Sequence, residues 1–544
     1  MSAPQSMVYI CSDVRINSRY EHTIYFPDIS AQYNYFAEKV VWSRSAYTFL
    51  RKSWSLKVEA TMEQAKTWSY LFFQNGPSSK TYYYFINNVE YVNDSTVELT
   101  LELDVMQTYM FDYELLPSYV ERQHVTDDTI GLHTLDEGLE VGELVNLLHT
   151  NYDMTDLCIM VMSTINPNAE TKETAIPAEP YMYNGVFSGV KFWAVDATDW
   201  AAWGEQLEKL DEIGQPEAII AMWMYPKKLV SLYREDSWED ADIAHTVEKA
   251  GFDDFIGPQR PTELEGYKPR NNKLLCYPYN FILATNNNGT FATYRYELFN
   301  ELDQLNRPVF TINGALGPDG GAMMVPENYK GLQVNYNEGV FIGGFPTCAW
   351  DSDIYKVWLA QNQNTHNLNN AMAGIKIAGG IVGGLGSLFA GNVMGAAAGV
   401  GSAISGGTQI LSHLAQKADM DIIPPQAKGS FSSSVNIVNE QHTFSLYCRT
   451  IRAEQAKVLD DYFSLYGYKV NRVQVPNIHA REKWTYVKTI GCHVAGTLCN
   501  EDLTKIESIY DKGITFWVDG DSVCDYYYYD EDAEENKFYA NKPL

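Results

Sequence analysis

Val97-Glu-Leu-Thr-Leu-Glu-Leu-Asp-Val105 alternates apolar and polar residues with a period of two. Such alternation places one apolar and one polar face on an extended chain, so it predicts a half-buried β-strand. Short aromatic or β-branched runs around it predict further strands at Val8–Ile10, His22–Phe26, Trp54–Ala60 and Tyr82–Ile86. The N-terminal part of the chain is therefore predicted to be β-rich, with one helix over Met62–Phe73.

The same succession of strands and turns continues along the chain. Asn286-Asn-Asn-Gly289 separates two strand-like runs and predicts a β-hairpin, because Asn and Gly tolerate the positive φ angles of a tight turn. Further strands are predicted at Glu217–Pro226, within Phe431–Thr450, at Trp484–Ile490 and at Ile514–Val518. Helices are predicted at Thr198–Leu210, within Glu235–Phe255, at Ala453–Tyr466 with Gly467 as C-cap, and from Asn500 as N-cap. The acidic tail Tyr526–Asn536 is predicted to be mobile.

The composition favours a β-rich fold. Aromatic residues make up 13% of the 544 residues, and 38 residues are tyrosines, which favours strands and broad contact surfaces. The formal net charge of −29 argues against charge-driven binding of DNA or of an anionic membrane. It is compatible with a protein that DNA passes without binding. No signal peptide is visible, and eight scattered cysteines predict reduced, buried thiols in a protein made in the cytosol.

The sequence lacks the motifs of common catalytic and metal sites. There is no GxxxxGK[ST] phosphate loop, no HExxH, no GxSxG, and no pair of histidines four residues apart. Neighbouring carboxylates occur at Asp127-Asp128, Asp253-Asp254, Asp351-Ser-Asp353 and Asp519-Gly-Asp521. Adjacency in sequence does not set the spacing that two catalytic carboxylates need, and turns are rich in Asp. We therefore predict a protein with no enzymatic activity, no cofactor and no bound metal.

One long stretch departs from the rest of the chain. From Ile377 to Gln416 there is no Asp, Glu, Lys or Arg, although 20% of the whole chain is charged. This apolar segment is rich in Gly and Ala, has little bulk to fill a core, and is long enough to cross a bilayer once, or twice as a hairpin. Small residues recur at every fourth position, which lets two helices approach closely. The candidate membrane-active residues are Ile377, Gly379, Ile381, Gly383, Leu385, Leu388, Phe389, Gly391, Val393, Met394, Gly395, Gly399, Val400, Ala403, Ile404 and Gly407.

The flanks of the apolar segment fit a membrane role. Gly391-Asn392 is a natural turn near its middle, and Lys376 and Lys417 can extend to a membrane interface on either side. Pro424 and Pro425 end any helix that follows. The frequent glycines favour a segment that is irregular in water and helical only in lipid. The alternative is a Gly-rich loop packed inside the protein with no membrane role.

Eight short segments along the chain resemble segments of a known protein family. They are Gln32–Phe36, Asp104–Phe111, Val120–Val125, Leu135–Leu139, Gln416–Asp419, Ile423–Gln426, Tyr466–Arg472 and Asp511–Trp517. In this order they resemble the tail knob, or distal tail tube, proteins of small picovirus-like short-tailed bacteriophages. The resemblance covers nearly the whole chain, while residues at about 145–300 match poorly.

This resemblance implies a mainly β fold with some α, in which several β-rich tube domains form a homohexameric ring. It also implies that long hydrophobic loops plug the lumen, are expelled on infection, and insert in the host cytoplasmic membrane as a pore for the genome. The partners would be other copies of the chain, tail proteins such as the connector-side tube, membrane lipids, and viral DNA that passes without specific binding. The protein would be made in the host cytoplasm and would lie at the tail tip of the virion.

The expected organisation has five parts. They are an N-terminal tube domain (1–125), an acidic variable domain (126–300), a β-rich tube segment (301–360), the long hydrophobic loop (361–428) and a C-terminal α+β tube domain (429–544).

Two other functions are compatible with the sequence. A tail adhesin would use Tyr and Trp surfaces to bind host cell-wall glycans without membrane activity. A wall hydrolase would need a catalytic carboxylate pair, for which the sequence gives little support. If the membrane function holds, His413 near Asp419 and Asp421 is a candidate for pH-sensitive insertion.

Overall fold

The computed structural model describes residues 6–45, 47, 55–75, 80–154, 156–163, 182–183, 186–187, 191–196, 219–231, 239–240, 242–243, 256–314, 321–342, 345, 442–531 and 535–544. The predicted helix Thr198–Leu210, most of Glu235–Phe255 and the first part of Phe431–Thr450 lie outside these residues. So do the whole apolar segment and His413. The carboxylates at 253–254 and 351–353 also lie outside them.

The chain divides into two compact units, each assembled from several segments. Unit 1 consists of Met1–Leu144, Pro261–Tyr279 and Ile451–Leu544, and unit 2 consists of Val145–Arg260 and Asn280–Thr450. The described residues are mostly β with few helices, as the alternating patterns predicted. The five-part organisation stays a prediction.

The described strands follow one another as β1 (Ser6–Ser12), β2 (His22–Ile24), β3 (Val40–Ser45), β4 (Ser55–Glu59), β5 (Trp68–Asn75), β6 (Thr81–Asn93), β7 (Thr96–Leu103), β8 (Tyr113–Leu115), β9 (Ser118–Gln123), β10 (Leu144–Asp153), β11 (Leu157–Ser163), β12 (Met182–Tyr183), β13 (Val186–Phe187), β14 (Lys191–Asp196), β15 (Ile219–Pro226), β16 (Val230–Ser231), β17 (Glu239–Asp240), β18 (Asp242–Ile243), β19 (Asn280–Thr285), β20 (Phe291–Tyr294), β21 (Phe310–Gly314), β22 (Ala322–Tyr329), β23 (Leu332–Val334), β24 (Val340–Ile342), β25 (Thr443–Ile451), β26 (Tyr468–Gln474), β27 (Trp484–Ile490), β28 (Val494–Gly496), β29 (Ile514–Trp517), β30 (Tyr527–Asp530) and β31 (Glu535–Phe538). The α-helices are α1 (Ile29–Glu38), α2 (Met62–Ala65), α3 (Val105–Tyr109), α4 (Ala453–Tyr466) and α5 (Asn500–Lys512). Short 3₁₀ helices lie at Lys227–Leu229, Asn272–Leu275, Tyr296–Leu298, Tyr336–Glu338 and Gly520–Ser522.

Unit 1 contains a six-stranded sheet in the order β3-β1-β5-β6-β7-β4. The alternating stretch forms β7, on which Val97, Leu99 and Leu103 are buried and Thr100 is exposed, as its period of two predicts. Helix α1 covers this core by stacking Phe36 on Tyr70, with ring centroids 5.0 Å apart. The strands predicted from the N-terminal sequence thus form one sheet, and their aromatic side chains contribute to its core.

The predicted helix over Met62–Phe73 is wrong beyond Ala65. A capping box between Thr61 and Gln64 starts α2, but the helix is four residues long. From Trp68 the chain enters β5, where Tyr70 and Phe72 are fully buried. The local helix signal is overridden because a central strand of the sheet buries these aromatic side chains on the sheet faces.

A five-stranded sheet in the order β2-β29-β27-β9-β26 joins the two ends of the chain within unit 1. Helix α4 spans Ala453–Tyr466 as predicted and ends at Gly467, whose φ is +63°. A Cβ at Gly467 would lie 2.3 Å from the carbonyl oxygen of Gln123, so both conformation and space require glycine there. The predicted strands at Trp484–Ile490 and Ile514–Val518 are confirmed as β27 and β29.

The start of α5 differs by one residue from the prediction. Asn500 is the first helical residue, and Cys499 occupies the N-cap position with an extended backbone. The Cys499 thiol contacts the Asp502 carboxylate at 2.9 Å. Asp502 also accepts a hydrogen bond from the Tyr109 hydroxyl, which joins α5 to α3.

The tail Tyr526–Asn536 is not a free acidic extension. Strands β30 and β31 form an antiparallel hairpin that pairs Tyr527 with Phe538. Phe538 is buried against Trp484, with ring centroids 5.9 Å apart, and stacks on Tyr526 at 6.1 Å. Aromatic packing therefore orders a segment whose charge alone suggested mobility.

Unit 2 contains two four-stranded sheets in the orders β10-β25-β19-β20 and β15-β11-β14-β17. A third sheet places β22 between β21 and β24. The predicted buried strand at Glu217–Pro226 is confirmed as β15, which pairs with β11. The predicted hairpin is confirmed by the pairing of β19 with β20, with Asn287 at φ +57° and Gly289 at +90°. All these sheets contribute to one aromatic and aliphatic core.

Candidate functional site

Every candidate membrane-active residue from Ile377 to Gly407 lies outside the described residues. The same holds for the flanking Lys376, Lys417, Pro424 and Pro425. The structure does describe the residues at the two ends of the interval that contains them. These are Phe345 after β24 and His442 before β25, both in unit 2.

The turn of the β19–β20 hairpin lies beside both places. The Asn286 carboxamide oxygen accepts hydrogen bonds from the backbone N–H groups of Asn288 (2.8 Å) and Thr290 (3.0 Å). This Asx-type bonding closes the turn on itself. The side-chain amide nitrogens of Asn286 and Asn287 donate to neighbouring strands.

These two amides bridge the strands on either side of the interval. Asn286 Nδ2 donates to the carbonyl oxygen of Phe341 in β24 at 2.9 Å. Asn287 Nδ2 donates to the carbonyl oxygen of Thr443 at 3.2 Å and to the Ser445 hydroxyl at 2.9 Å, both in β25. We call this bridge, formed by Asn286 and Asn287, the asparagine tie.

An aromatic contact joins the two ends directly. The rings of Phe345 and His442 are stacked, with centroids 4.8 Å apart and an interplanar angle of 25°. Phe345 is 2% exposed and His442 8%, and Tyr225 packs its ring edge on Phe345 at 5.5 Å. The His442 carbonyl accepts a hydrogen bond from Met154 N–H at 2.9 Å. The two ends of the interval therefore meet at one buried point.

The family-like motifs of unit 1 meet in a buried ion cluster. Glu137 forms ion pairs with Arg122 and with Lys273, and its carboxylate accepts the Lys469 N–H at 3.0 Å. The Glu137 side chain is fully buried and that of Lys273 is 1% exposed. Burial lowers the pKa of Lys273, while the Glu137 carboxylate opposes that shift. Three motifs far apart in sequence are thus held together by one carboxylate.

His124, in the same motif as Arg122, is held neutral. Burial, assisted by the nearby Arg481, lowers the pKa of His124 to about 3. Its Nδ1 accepts the Tyr486 N–H at 2.7 Å, so Nε2 carries the proton and donates to the Ser464 carbonyl at 3.1 Å. The ring therefore joins β27 to α4 as a structural link.

The N-terminal motifs Gln32–Phe36 and Asp104–Phe111 are also joined by buried hydrogen bonds. Gln32 donates to the side-chain oxygen of Gln107 at 2.9 Å, and Gln107 donates to the Thr23 hydroxyl at 3.0 Å. Asp104 caps α3 by accepting from the N–H groups of Met106 and Gln107. Burial raises the pKa of the Asp104 carboxyl to about 6, and its hydrogen bonds oppose that shift.

The other chemical candidates have structural roles where they are described. Asp128 accepts hydrogen bonds from the Tyr468 hydroxyl and from Asn272 N–H, and Asp519 closes a turn onto Asp521 and Ser522. The described part of the chain contains no cluster of three metal-ligating side chains. Its cysteines form no disulfide; most are buried, but Cys499 and Cys524 are exposed, contrary to prediction.

Three exposed apolar side chains lie next to one another on the five-stranded sheet of unit 1. Ile490, Tyr119 and Val473 lie in one row across β27, β9 and β26, because Tyr119 pairs with both of the others. Their exposed fractions are 57%, 38% and 67%. We call this the exposed apolar row. Among the helices that the structure describes, none is long and apolar enough to cross a membrane.

Comparison with known proteins places this fold among bacteriophage tail proteins. A family model described as Bacillus phage phi29, tail knob protein gp9, C-terminal domain, matches residues 244–534. A second model, the caudoviral major tail protein N-terminus, matches residues 4–114. The chain is therefore a structural component of a phage tail.

The relatives define the group more closely. Tail knob protein gp9 of Bacillus phage phi29 is 26% identical, with 94% of this chain and 96% of that protein aligned. The corresponding protein of Bacillus phage B103 is also 26% identical, with 95% and 97% aligned. The solved tail knob protein gp12 of bacteriophage C1 has a similar fold, with a TM-score of 0.58, 14% identity, and 98% of this chain and 100% of that chain covered. The chain belongs to the phi29-like tail knob protein family, and as such is a component of the virion.

The asparagine tie was not predicted from the sequence. Three consecutive asparagines before Gly289 predict only a turn, and their partners lie up to 158 residues away. The buried ion cluster was missed for the same reason. Arg122, Glu137 and Lys469 lie in three of the family-like motifs, but Lys273 lies in none, and nothing local pairs Glu137 with Lys273 across 136 positions.

Proposed function

We propose that this protein forms the distal tail tube of the virion as a homohexamer. On infection, its apolar segment inserts in the host cytoplasmic membrane and forms a pore for genome ejection. The observation that carries the proposal is an uncharged stretch from Ile377 to Gln416 inside a tail knob chain with a net charge of −29. Before infection the hydrophobic segments plug the lumen, which keeps them away from water.

The membrane step has a physical basis in the segment's composition. Residues such as Ile381, Leu385 and Phe389 gain free energy on leaving water, at about 25 cal/mol per Å² of apolar surface. Small residues at every fourth position, from Gly379 to Gly407, allow close packing between neighbouring helices. With no ionised side chain to desolvate, the stretch avoids a cost of about 2.5–3.5 kcal/mol for each charge at the membrane centre.

Self-assembly is supported by the exposed apolar row. Ile490, Tyr119 and Val473 place three apolar side chains side by side on the face of a sheet. The adjacent edge strand β26 carries Lys469 and Arg472 but no carboxylate, so it is basic in an acidic chain. A second copy, with its excess negative charge, can approach this edge favourably. The same acidity keeps transiting viral DNA from binding to the tube.

The proposal assigns the protein no catalytic step, cofactor or metal. Its partners are other copies of the chain, neighbouring tail proteins such as the connector-side tube, and host membrane lipids. The buried ion cluster around Glu137 and the neutral His124 serve stability in this scheme.

Dye release from liposomes tests the membrane function. The assembled protein is compared with a variant in which Ala371–Gly407 is replaced by a short Gly/Ser linker, at pH values between about 4 and 8. We expect leakage by the intact protein and none by the variant, because only the segment offers an uncharged membrane-length stretch.

The comparison requires that the linker variant assemble in the same way as the intact protein. Equal leakage by both proteins would locate membrane activity elsewhere in the chain. Specific binding to cell-wall glycans with no leakage at any pH would favour the adhesin instead. A His413→Gln variant with an unchanged pH profile would exclude His413 as a trigger.

A further inference from the structure

We propose that Asn288 is a site of spontaneous deamidation, and that its conversion to isoaspartate releases the asparagine tie of unit 2. The two reacting residues, Asn288 and Gly289, lie in the turn between β19 and β20. The reaction needs only water, so it modifies the protein with age and without an enzyme. This inference does not depend on the proposed membrane function.

The first argument is the chemistry of an Asn-Gly sequence. The backbone nitrogen of Gly289 attacks Cγ of the Asn288 carboxamide, a cyclic succinimide closes, and ammonia leaves with the proton of that nitrogen. Water then opens the ring at either carbonyl, which gives aspartate or isoaspartate at position 288. The net change converts an amide and water to a carboxylic acid and ammonia, with no oxidation or reduction. Glycine favours the first step because it has no side chain to hinder its nitrogen.

The second argument is the accessibility of both reacting groups. Asn288 and Gly289 are exposed. Gly289 has a φ of +90°, and beyond its chain neighbours no atom lies within 4 Å of the place that a Cβ would occupy. Within the described part of the chain, the Gly289 N–H donates no hydrogen bond. Its nitrogen can therefore approach the Asn288 side chain without first leaving a sheet ladder.

A second Asn-Gly sequence in unit 2 provides a contrast. Asn313 and Gly314 lie in β21, where they pair with Met323 and Ala322 of β22. Regular pairing holds this backbone extended, so attack there requires local opening of the strand, which has a free-energy cost. The same chemistry is thus permitted in the turn and hindered in the sheet.

The third argument is the effect of the product on the turn. The Asn286 carboxamide oxygen accepts the N–H groups of Asn288 and Thr290, so these two hydrogen bonds span the modified linkage. Isoaspartate directs the main chain through the former side chain of residue 288 and lengthens it by one carbon atom. The longer chain cannot keep both N–H groups on the same oxygen, so the turn loses the bonding that closes it.

The asparagine tie depends on this turn. Asn286 donates to the Phe341 carbonyl of β24, and Asn287 donates to Thr443 and Ser445 of β25. Both amides are positioned by the closed turn, so its rearrangement displaces them from their acceptors. Deamidation at Asn288 therefore loosens the connection between the hairpin and these two strands.

Peptide mapping of the full-length protein tests the site. The protein is incubated at mildly alkaline pH, in native buffer and separately in urea, and isoaspartate is measured by mass spectrometry at Asn288 and Asn313. In native buffer we expect conversion at Asn288 to be at least about tenfold faster, the ratio that about 1.4 kcal/mol of strand opening produces. In urea the difference should disappear. Equal rates in the folded protein, or a difference that persists in urea, would overturn the proposed site.

Hydrogen exchange tests the effect on the asparagine tie. Aged parent protein is compared with an equally aged Asn288→Gln variant, because glutamine closes the corresponding larger ring much more slowly. We expect faster exchange in β25 of the aged parent than before ageing, and no change in the variant. Exchange in β27 of unit 1 is the internal control and should stay the same in both proteins.

Deamidation at Asn288 with unchanged exchange in β25 would overturn the release of the tie and leave the modification site standing. Equally increased exchange in the aged variant would show that another change loosens β25, which would also overturn the release.

Discussion

At the scale of single residues, unit 1 is held by buried polar groups that link distant motifs. Glu137 pairs with two cations and one backbone N–H in a place where almost no water reaches. A buried ion pair adds little compared with an apolar replacement, but removing one member is costly because the other charge stays unpaired. In this chain, Arg122, Glu137 and Lys469 therefore have a structural role that their separation in sequence does not reveal.

Glu137→Gln is expected to lower the free energy of unfolding by about 3 kcal/mol, because Lys273 and Arg122 lose the carboxylate that neutralises them. Urea unfolding of the full chain measures this loss. Glu63→Gln, which alters an exposed ion pair with Lys66, serves as control and should leave the midpoint unchanged. A Glu137 variant as stable as the control would show that the cluster does not stabilise unit 1.

The raised pKa of Asp104 predicts that its contribution to the stability of the folded state falls as pH rises. Burial raises its pKa from 3.8 to about 6, so the folded state binds the proton more tightly than the unfolded state. Its contribution to stability is fully present below about pH 3.8 and is lost as pH rises through about 6. Asp104→Asn removes this dependence, so its destabilisation relative to the parent should be about 1 kcal/mol larger at pH 5 than at pH 7. Unfolding measured at both pH values checks this, and an equal difference at both would contradict it.

His124 has the opposite effect on the pH dependence of stability. Its folded-state pKa of about 3 lies below the ordinary 6.5, so its contribution is present above about pH 6.5 and is lost as pH falls below that value. The two groups therefore offset each other between about pH 4 and 6. Sequence patterns identified neither residue as titrating, because both shifts arise from burial by distant segments.

At the level of secondary structure, local sequence correctly predicted elements that depend on local interactions. The period-two stretch became β7, Ala453–Tyr466 became α4, and Asn286–Gly289 became a hairpin turn. Predictions were wrong where tertiary packing outweighed local preference. Trp68–Asn75 is a strand because it pairs with β1 and β6 in the middle of the sheet, where its aromatic side chains are buried on the sheet faces. The acidic tail is a hairpin because Phe538 has a pocket of aromatic rings to fill.

Phe538→Ala is expected to destabilise this hairpin by about 3 kcal/mol, since it removes a buried ring that contacts Trp484, Tyr526 and Tyr527. Limited proteolysis should then cut between β30 and β31 much faster than in the parent. Tyr529→Ala is the control, because the Tyr529 side chain is 62% exposed and its loss should change little. Equal cleavage of the two variants would argue against aromatic anchoring.

At the scale of the whole molecule, each compact unit is built from separated parts of the chain. Composition predicted a β-rich protein, but no local pattern shows that Pro261–Tyr279 and Ile451–Leu544 belong with the N-terminal residues. Such associations depend on contacts between distant residues. The apolar segment was found from sequence alone because an uncharged stretch is a property of composition.

Assembly gives the prediction at this scale. Val473→Asp places a charge in the exposed apolar row and should weaken self-association, because a carboxylate cannot be buried there without a partner. The mass of the assembly, measured by light scattering, should fall while the circular dichroism spectrum is retained. Leu305→Asp, at another exposed apolar position, is the control and should leave the mass unchanged. An unchanged mass for Val473→Asp would exclude the row as a contact.

Photolabelling from within the bilayer identifies which residues enter lipid. Assembled protein is mixed with liposomes that contain a photoactivatable probe in the acyl chains, irradiated, digested, and mapped by mass spectrometry. We predict that label is concentrated between Ala371 and Gly407, with little on the β-rich units. Label spread over the sheets, with none in that segment, would contradict the claim that this protein penetrates the membrane through its apolar segment.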